Sequence, residues 1–434
     1  MAKRTPYSQR EKGGMAILMV VTAIAICMVI VNEFGTRTTI DTLQARNNLD
    51  QMRAHFLAQS SLNVTNLVLR LQKRLDTAGA NAGPDSRLAG LKGVQLTDYA
   101  DMLMGAFGGS AQEVEDAIGL SADDAKGLGS SIGSFRVFIK PIDGKINLNC
   151  AKANGPNQKL LRNQLASLLY PPAFDSIFEE EDAEGWRRDR KTQIDAIIDY
   201  IDDNLDRADT PGAPEDYGYE GLRDKYKAKN QPLDSVEELK LVRGVDDRFW
   251  TLFGNSFRVA GSCKVNLRAL DDPKVIVSLI ALSVKDENDP ILNNYPALYA
   301  LAELVIQGKT MGYYFTETKE FVDFLKDPAA AMMASVTGGA GATTAPTAPA
   351  GLQLPGGITG IELNETKLKA VAESKPIGLY DVEVYGEVTR GGILNPLRRT
   401  IHATWDQDFQ LQQSRVATKL GKDRIGAWLY LREE

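Results

Sequence analysis

An acidic stretch between positions 195 and 216 holds the side chains best suited to chemistry. It carries nine carboxylate or carboxamide groups, which are Asp195, Asp199, Asp202, Asp203, Asn204, Asp206, Asp209, Glu215 and Asp216. The spacing of Asp195, Asp199 and Asp202 places them on one face of a helix. Like charges this close repel one another unless a cation neutralises them, and hard oxygen ligands at alternate positions suit calcium. We therefore predict a calcium site formed by Asp202, Asn204, Asp206, Glu215 and Asp216.

This stretch is not an EF-hand loop. Arg207 stands where that loop has its invariant glycine, and Ala213 stands where it has its bidentate glutamate. The alternative to a cation site is an acidic helix face that only meets solvent. The residue types by themselves leave both interpretations open.

Composition argues against two other kinds of chemistry. The chain has 434 residues and a formal net charge of −7, whereas phosphate binding needs a basic face. It contains two histidines, His55 and His402, and neither a glycine-rich phosphate loop nor a serine nucleophile elbow. We therefore predict a protein that is not an enzyme, has no catalytic residues and binds no nucleic acid.

Two of the three cysteines border similar stretches of sequence. Cys150 follows the residues KINLN, and Cys263 precedes the residues KVNLR. If these stretches are neighbouring strands in an oxidising compartment, Cys150 and Cys263 can form a disulfide, and otherwise both are free buried thiols. The third cysteine, Cys27, lies in an apolar run and is expected to pack there as a small apolar group.

A long N-terminal helix is the first of the elements that must position these residues. The 17 residues from Met15 to Val31 carry no charge, which is near the lower limit for a helix that crosses a membrane. The basic leader before them should stay in the cytoplasm, so that the chain after Asn32 crosses the membrane. Residues 36–75 contain neither proline nor glycine and keep a helix-like apolar spacing. The helix should therefore continue to residue 75.

The order of leader and apolar run indicates how the N-terminus is processed. A secretory signal peptide has its cleavage site after the apolar region. Here the small residues Gly13 and Gly14 come before that region, so cleavage would leave the helix on the mature protein, beginning at Met15. The alternative is an uncleaved signal anchor.

The rest of the chain predicts an α+β fold. Residues 135–148 have the pattern of a hairpin or a bent strand pair, with a turn at Asp143-Gly144. Residues 380–388 and 394–405 alternate around a glycine turn, which is typical of an antiparallel hairpin. Residues 157–253 have helical periodicity, so a small antiparallel sheet should be split by a large inserted all-α domain.

Residues 233–253 also have the pattern of a nucleic-acid-binding unit. Two amphipathic helices meet at Arg243-Gly244-Val245, as in the helix-hairpin-helix unit of some DNA-binding proteins. Five acidic side chains surround three basic ones in this segment, so we expect packing rather than phosphate contact. A membrane-anchored DNA receptor is the alternative from a different functional class.

Four landmarks, in this order, resemble the minor pseudopilin K family of type II secretion. They are the glycine-ended leader before the apolar helix, the strand motif DGKINLN at 143–149, the acidic motifs DYIDDN at 199–204 and GAPEDY at 212–217, and PLDSVEELKLVRGV at 232–245. The similarity covers most of the chain, except about 78–130, the loop at 335–360 and the residues after Asp408. Tyr200, Asn204 and Pro214 depart from the residues usual in the family.

The resemblance implies a tip subunit of a filament. Family members have a pilin-like fold with a SAM-like helical insertion, and the prepilin peptidase cleaves them, here between Gly14 and Met15, with N-methylation of Met15. They pack with the minor pseudopilins I and J at the tip of the periplasmic pseudopilus and help to initiate its assembly. The secretin and exported cargo are further expected partners. Calcium binding near the acidic motifs is also a property of the family.

One residue within the apolar run supports a position at the end of the filament. Most pilin-like subunits carry glutamate at the fifth mature position, where it pairs with the terminal amine of a neighbour. Met19 occupies that position here, and members of the pseudopilin K family also lack the acid. A subunit without that carboxylate suits a cap with no subunit beyond it.

Composition and periodicity, together with the resemblance, give the expected layout and location of the chain. It divides into a leader (1–14), a transmembrane helix (15–31), its periplasmic continuation (32–75), an insertion (76–134), first strands (135–150), a helical domain (151–262), a continued α/β domain (263–334), a Gly/Thr/Pro-rich loop (335–360), a C-terminal hairpin (361–410) and a tail (411–434). We expect a single-pass protein of the inner membrane with a periplasmic globular domain. Alternatives are a minor pilin of a type IV pilus and a signal-anchored periplasmic enzyme.

Overall fold

The computed structural model describes most of the chain. The described parts are residues 10–81, 95–100, 133–151, 155–179, 189–208, 210, 212–215, 219, 225–336, 360–388, 396–408 and 426–434. Much of the predicted insertion at 76–134 and of the loop at 335–360, together with the turn of the predicted C-terminal hairpin, lies outside these parts.

The described residues form ten α-helices and eight strands. The helices are α1 (Arg10–Asn81), α2 (Pro156–Leu169), α3 (Asp175–Phe178), α4 (Arg190–Ile201), α5 (Asp247–Phe253), α6 (Pro273–Ser283), α7 (Tyr295–Thr310), α8 (Thr318–Lys326), α9 (Pro328–Val336) and α10 (Glu365–Val371). The strands are β1 (Ser134–Pro141), β2 (Ile146–Asn147), β3 (Phe257–Arg258), β4 (Val265–Asn266), β5 (Ala372–Glu373), β6 (Leu379–Val388), β7 (Leu397–Asp406) and β8 (Ala427–Glu433).

The N-terminal helix has two parts with different surroundings. From Gly14 to Leu49 every side chain of α1 is exposed, and burial begins at Asp50 and Ala54, where the helix meets the sheet. Among the described helices, α1 is the one long and apolar enough to cross a membrane. This single apolar helix fits a single-pass anchor, and its continuation beyond the apolar run agrees with the prediction.

An antiparallel sheet of four strands in the order β1-β6-β7-β8 packs against the second part of α1. The predicted C-terminal hairpin is confirmed, because β6 and β7 pair antiparallel over ten residues each. The helix approaches the sheet closely at Gly386, where a Cβ atom would lie 2.3 Å from the carbonyl oxygen of Ala54. A residue larger than glycine would force the helix away from the sheet at this point.

Of the two interpretations of residues 135–148, the hairpin is wrong, and two successive strands separated by a turn at Asp143-Gly144 are present. Strand β1 pairs with β6, whereas β2 leaves this sheet and pairs in parallel with β3. The turn is held among other segments, since the carboxylate of Asp143 accepts hydrogen bonds from the backbone of Gly378 (2.7 Å) and Leu379 (3.3 Å). A Cβ atom on Gly144 would lie 2.3 Å from the carbonyl oxygen of Ala269. The chain therefore passes into the helical domain at this turn and does not reverse.

The helices form one hydrophobic core that runs from Ile146 to Ala372. The predicted boundary at 262/263 does not separate two cores, because α6, α7, α8 and α10 share this core with α2 and α4. In sequence, these helices lie between β2, the first strand of the parallel pair β2·β3, and β5, the last strand of the parallel pair β4·β5. Cys150 and Cys263 are joined in a disulfide with their Cα atoms 5.7 Å apart, so the bond links the two halves of the core.

The predicted tail contributes a fourth strand to the sheet. Strand β8 pairs antiparallel with β7, and the rings of Trp405 and Trp428 meet edge to face at 4.8 Å. The imidazole Nδ1 of His55 on α1 lies 2.6 Å from a carboxylate oxygen of Glu433. The C-terminal residues 426–434 therefore belong to the folded domain.

The segment with a helix-hairpin-helix pattern is less regular than predicted. Its first half is a 3-10 helix, Val236–Leu241, with a capping box between Ser235 and Glu238. Its second half is α5, and Gly244 between them has a φ of 84°, which favours glycine. The amine of Lys240 lies 4.5 Å from the ring centre of Trp250, so this cation packs within the segment.

Candidate metal centre

Helix α4 and the loop after it carry the acidic residues. Asp189 caps the start of α4 through a 3.0 Å hydrogen bond from the backbone of Thr192, and the helix ends at Ile201. Asp195, on the same helix, pairs with the guanidinium group of Arg162. This ion pair neutralises Asp195, which is therefore not a member of the acidic site.

A tight turn returns the chain to the end of α4. Asp206 and Pro214 form an isolated antiparallel bridge, and the backbone of Arg207 donates a 3.0 Å hydrogen bond to the carbonyl of Ala213. The turn requires a φ of 85° at Gly212, a conformation that glycine adopts without strain. This reversal places Glu215 beside Asp202.

Three buried carboxylates meet at this point. Asp199, Asp202 and Glu215 each offer an oxygen atom, and these atoms lie within 4.8 Å of one another. The three side chains are 7%, 1% and 7% exposed. Since a buried cluster of like charges is costly unless it is neutralised, this triad could bind a metal ion.

The surroundings of Asp202 fit a cation ligand. Its Oδ2 atom accepts hydrogen bonds from Asn204 (2.7 Å) and Gln158 (3.1 Å), whereas its buried Oδ1 atom has no hydrogen-bond partner among the described residues. Burial, with a smaller contribution from the charge of Asp203, raises the pKa of Asp202 to about 6. A bound cation would supply the missing partner and favour the ionised carboxylate.

The predicted ligands are only partly brought together. Asp202 and Glu215 lie in the triad, and Asn204 adjoins it through Asp202. The side-chain oxygen of Asn204 accepts a 2.7 Å hydrogen bond from the backbone of Asp206, whose own side chain is exposed and outside the triad. Asp216 lies outside the described residues. The other predicted sites, Gly14 and Met15, lie exposed on α1.

Two residues near the site were not predicted from sequence. The amide nitrogen of Asn230 donates to a carboxylate oxygen of Glu215 and to the carbonyl oxygen of Asn204, both at 2.8 Å. Gln158 reaches Asp202 from α2. Both residues are distant in sequence from the acidic stretch, and no local pattern marks them.

Residues 144–252, which include the triad and the capping-box segment, match a family model described as type II secretion system (T2SS), protein K. Over this segment, which is about a quarter of the chain, the protein is similar to the type II secretion system protein K family. The predicted family resemblance is thereby confirmed. The matched segment contains three of the four landmarks in whole or in large part, and the leader is the fourth.

Two relatives are similar over larger parts of the chain. The type II secretion system protein K of Aeromonas hydrophila is 24% identical over 247 residues, which are 56% of this chain and 62% of the relative. The chain thus spans about three fifths of that protein K. A crystal structure of the GspK-GspI-GspJ complex from the enterotoxigenic Escherichia coli type 2 secretion system matches with 13% identity and a TM-score of 0.40, over 70% of this chain and 80% of that one. That structural likeness is too distant to carry an argument about this chain.

Proposed function

We propose that this chain is a minor pseudopilin of a type II secretion system, a non-enzymatic subunit that forms or caps the tip of the periplasmic pseudopilus. In this role it helps to initiate pseudopilus assembly for protein export. The observation that carries the proposal is the protein K segment at 144–252, joined to an exposed apolar helix through a pilin-like arrangement of helix and sheet. An enzyme or a simple anchor has no need of that long helix packed on its own sheet.

The N-terminal half of α1 supports storage in the inner membrane and later packing into a filament. Its apolar residues are all exposed, so they need either lipid or the helices of other subunits around them. The prepilin peptidase cleaves after Gly14, Met15 becomes N-methylated, and the globular part lies in the periplasm. The helix begins before the cleavage point and stays continuous after it, so processing removes the basic leader without changing the fold.

The proposed place at the tip rests on Met19 and on the helical domain. A hydrophobic residue at the fifth mature position gives no carboxylate to pair with a subunit ahead of this one. The helical domain adds a second core, far larger than the core under the sheet, and this bulk would block addition beyond it. The proposed partners are the minor pseudopilins I and J, the prepilin peptidase, and the secretin or exported cargo.

Co-expression of the full chain with minor pseudopilins I and J and the prepilin peptidase tests this function. We expect a ternary complex in detergent, and mass spectrometry should find an N-terminus at methylated Met15. The Gly14→Ala variant should keep its leader, whereas Gly13→Ala is the matched control and should be processed. A strictly monomeric processed chain, or full processing of Gly14→Ala, would refute the proposal.

We further propose that the acidic triad binds calcium. Each of its three carboxylates offers a hard oxygen atom, the kind of ligand that calcium prefers, and carbonyl or water oxygens would complete the six to eight ligands of that ion. Calcium that binds only the folded state at a hundred times its Kd adds about 2.7 kcal/mol to the free energy of unfolding.

Thermal unfolding of the full chain, measured with calcium and with magnesium, tests whether the triad binds calcium. Calcium should raise the Tm of the wild type and of the Asp203→Asn control, because Asp203 is exposed and outside the triad. Asp202→Asn should lose the increase. Equal shifts in all three proteins would rule out binding at the triad.

A further inference from the structure

An irregular segment connects the acidic site to the 3-10 helix Val236–Leu241. Residues 225–230 have no regular secondary structure, and the chain reaches the capping box only at Ser235. We propose that Asn230 couples occupancy of the cation site to the order of this segment and, through it, to one wall of a charged cleft. The inference rests on the cation site proposed above.

Asn230 is held by bonds that end on the acidic site. Its amide nitrogen reaches Glu215 and the carbonyl of Asn204, both at 2.8 Å, and its backbone N–H donates to the carbonyl of Tyr200 at 3.0 Å. Its φ is 49°, the only positive φ of a non-glycine residue in the described chain. Asparagine adopts this left-handed conformation more readily than other non-glycine residues, and the three bonds select it here. One of the bonds ends on Glu215 of the triad, and the other two end on the backbone carbonyls of Asn204 and Tyr200.

Lys229, the neighbour of Asn230 in sequence, connects this position to the capping box. The amine of Lys229 bonds to carboxylate oxygens of Asp234 (2.9 Å) and Glu238 (2.6 Å). The other oxygen of Glu238 accepts the backbone N–H groups of Asp234 (2.8 Å) and Ser235 (3.1 Å). The start of the 3-10 helix therefore depends on residues placed by Asn230.

Two of these residues, Asp234 and Ser235, line one wall of a cleft between the helical domain and the sheet. The cleft has a volume of about 440 Å³. Its helical wall includes Asp234, Ser235 and Glu237, and its sheet wall includes Asp381, His402 and Arg432. The position of the helical wall decides how these charged groups face one another.

The cation acts on this chain of contacts through Glu215. When a cation binds Glu215, it fixes the carboxylate and with it the acceptor for Asn230. Without a cation, repulsion from Asp199 and Asp202 drives Glu215 away, and the left-handed conformation of Asn230 loses one of the bonds that select it. Cation binding should therefore order the segment and the wall of the cleft.

Hydrogen exchange and calorimetric titration of the full chain with calcium chloride test the coupling. Amides at 229–238 should exchange at least about tenfold more slowly when calcium is saturating. Asn230→Gly keeps the backbone conformation accessible but removes the side-chain bonds. It should bind calcium about tenfold more weakly, as expected when a residue that positions a metal ligand is lost, and it should lose the change in exchange. Asn288→Gly, in an exposed loop, is the matched control.

A second variant separates the two halves of the coupling. Lys229→Met removes the bonds to Asp234 and Glu238 while leaving Asn230 in place. It should bind calcium like the wild type, yet amides at 235–238 should no longer respond.

Each of the following results would contradict one part of the proposal. If the wild type does not bind calcium, the cation site and the coupling both fail. If it binds calcium without slower exchange at 229–238, the coupling fails and the cation site stands. If Asn230→Gly keeps the full response, Asn230 is not the coupling residue.

Discussion

Two buried charged residues of this protein, Arg258 and Asp202, differ in how far their charges are compensated. The guanidinium group of Arg258, 1% exposed, donates to the carbonyl oxygens of Lys145 (2.9 Å) and Ser262 (2.6 Å), and lies 4.0 Å from a carboxylate oxygen of Asp143. The triad lacks such compensation at Asp202, whose buried Oδ1 atom has no hydrogen-bond partner in the described chain. Because a folded protein rarely leaves a buried charge uncompensated, this contrast favours a cation at the triad.

Lys309 gives the clearest pH dependence at the residue scale. Its amine donates to the carbonyl of Leu270, and burial lowers its pKa to about 8, while Asp271 and Asp98 oppose that shift. Between pH 8 and 10.5 the unfolded chain keeps a proton that the folded chain has lost. The free energy of unfolding should therefore rise with pH in that window, by up to about 1.4 kcal/mol per unit.

The Lys309→Met variant should lack this rise. Urea unfolding at several pH values measures how the free energy of unfolding changes with pH. This slope is compared instead of the absolute stability, because methionine also removes the bond to Leu270. Lys285→Met is the control, since that side chain is 65% exposed. Parallel curves for the wild type and Lys309→Met would contradict the assignment.

The candidate site was predictable from sequence only as far as local spacing reaches. The acidic stretch and a reversal of the chain at Gly212 are both visible in the residue types. The choice of Asp199 over Asp206 as the third carboxylate depends on which side of the loop faces inward. Asn230 and Gln158 reach the site only through tertiary packing, so spacing could not reveal them.

At the scale of elements, two similar stretches of sequence form the same local structure. Asn147 and Asn266 each end a short strand, and each side-chain oxygen accepts a backbone N–H two residues on, at 3.0 and 3.2 Å. Each amide nitrogen also donates to a distant carbonyl, that of Gly261 (2.8 Å) and that of Lys375 (3.0 Å). The same pattern of bonds therefore fixes both strand ends and the short helical turns that follow them. Cys150 and Cys263, which form the disulfide, lie within three residues of these asparagines in sequence.

Strand β8 is the element least expected from sequence, and its contribution can be measured. Trp428 is half-buried against Trp405, whose side chain is 2% exposed. Trp428→Ala should lower the free energy of unfolding by about 2 kcal/mol, less than for a fully buried aromatic residue. Leu429→Ala is the control and should change it by less than about 1 kcal/mol, because Leu429 is 39% exposed.

Circular dichroism of the full chain in detergent, followed during thermal unfolding, gives both values. Equal effects of the two substitutions would mean that β8 does not stabilise the sheet. A larger effect of Trp428→Ala would show that residues 426–434 are part of the domain.

Regular elements were predictable, and the connections between them were not. The long helix and the β6·β7 hairpin follow from uninterrupted periodicity and from a local turn. Residues 135–148 have the same alternation but do not form a hairpin, because their turn is fixed by contacts with Gly378 and Ala269, more than a hundred residues away. Strand β8 follows residues with no clear period, so its register depends on β7.

At the scale of the whole molecule, α1 connects two environments. Its buried residues after Asp50 join it to the sheet, while everything from Gly14 to Leu49 projects beyond the globular part. In the proposed function the apolar run lies in lipid before assembly and among other helices afterwards. The residues between Asn32 and Leu49 lie beyond the apolar run and do not enter the bilayer. Their exposed apolar groups would therefore be covered only by partner subunits.

This difference predicts two separable defects. Ile24→Lys places a charge in the middle of the apolar run, at a cost of about 3 kcal/mol in a bilayer, and should move the chain out of the membrane fraction. Leu49→Lys changes a side chain that is 48% exposed beyond that run, and it should leave membrane association intact while weakening co-purification with minor pseudopilins I and J. Fractionation and pull-down of both variants measure the two effects. If Leu49→Lys retains full partner binding, the outer part of α1 is not a subunit interface.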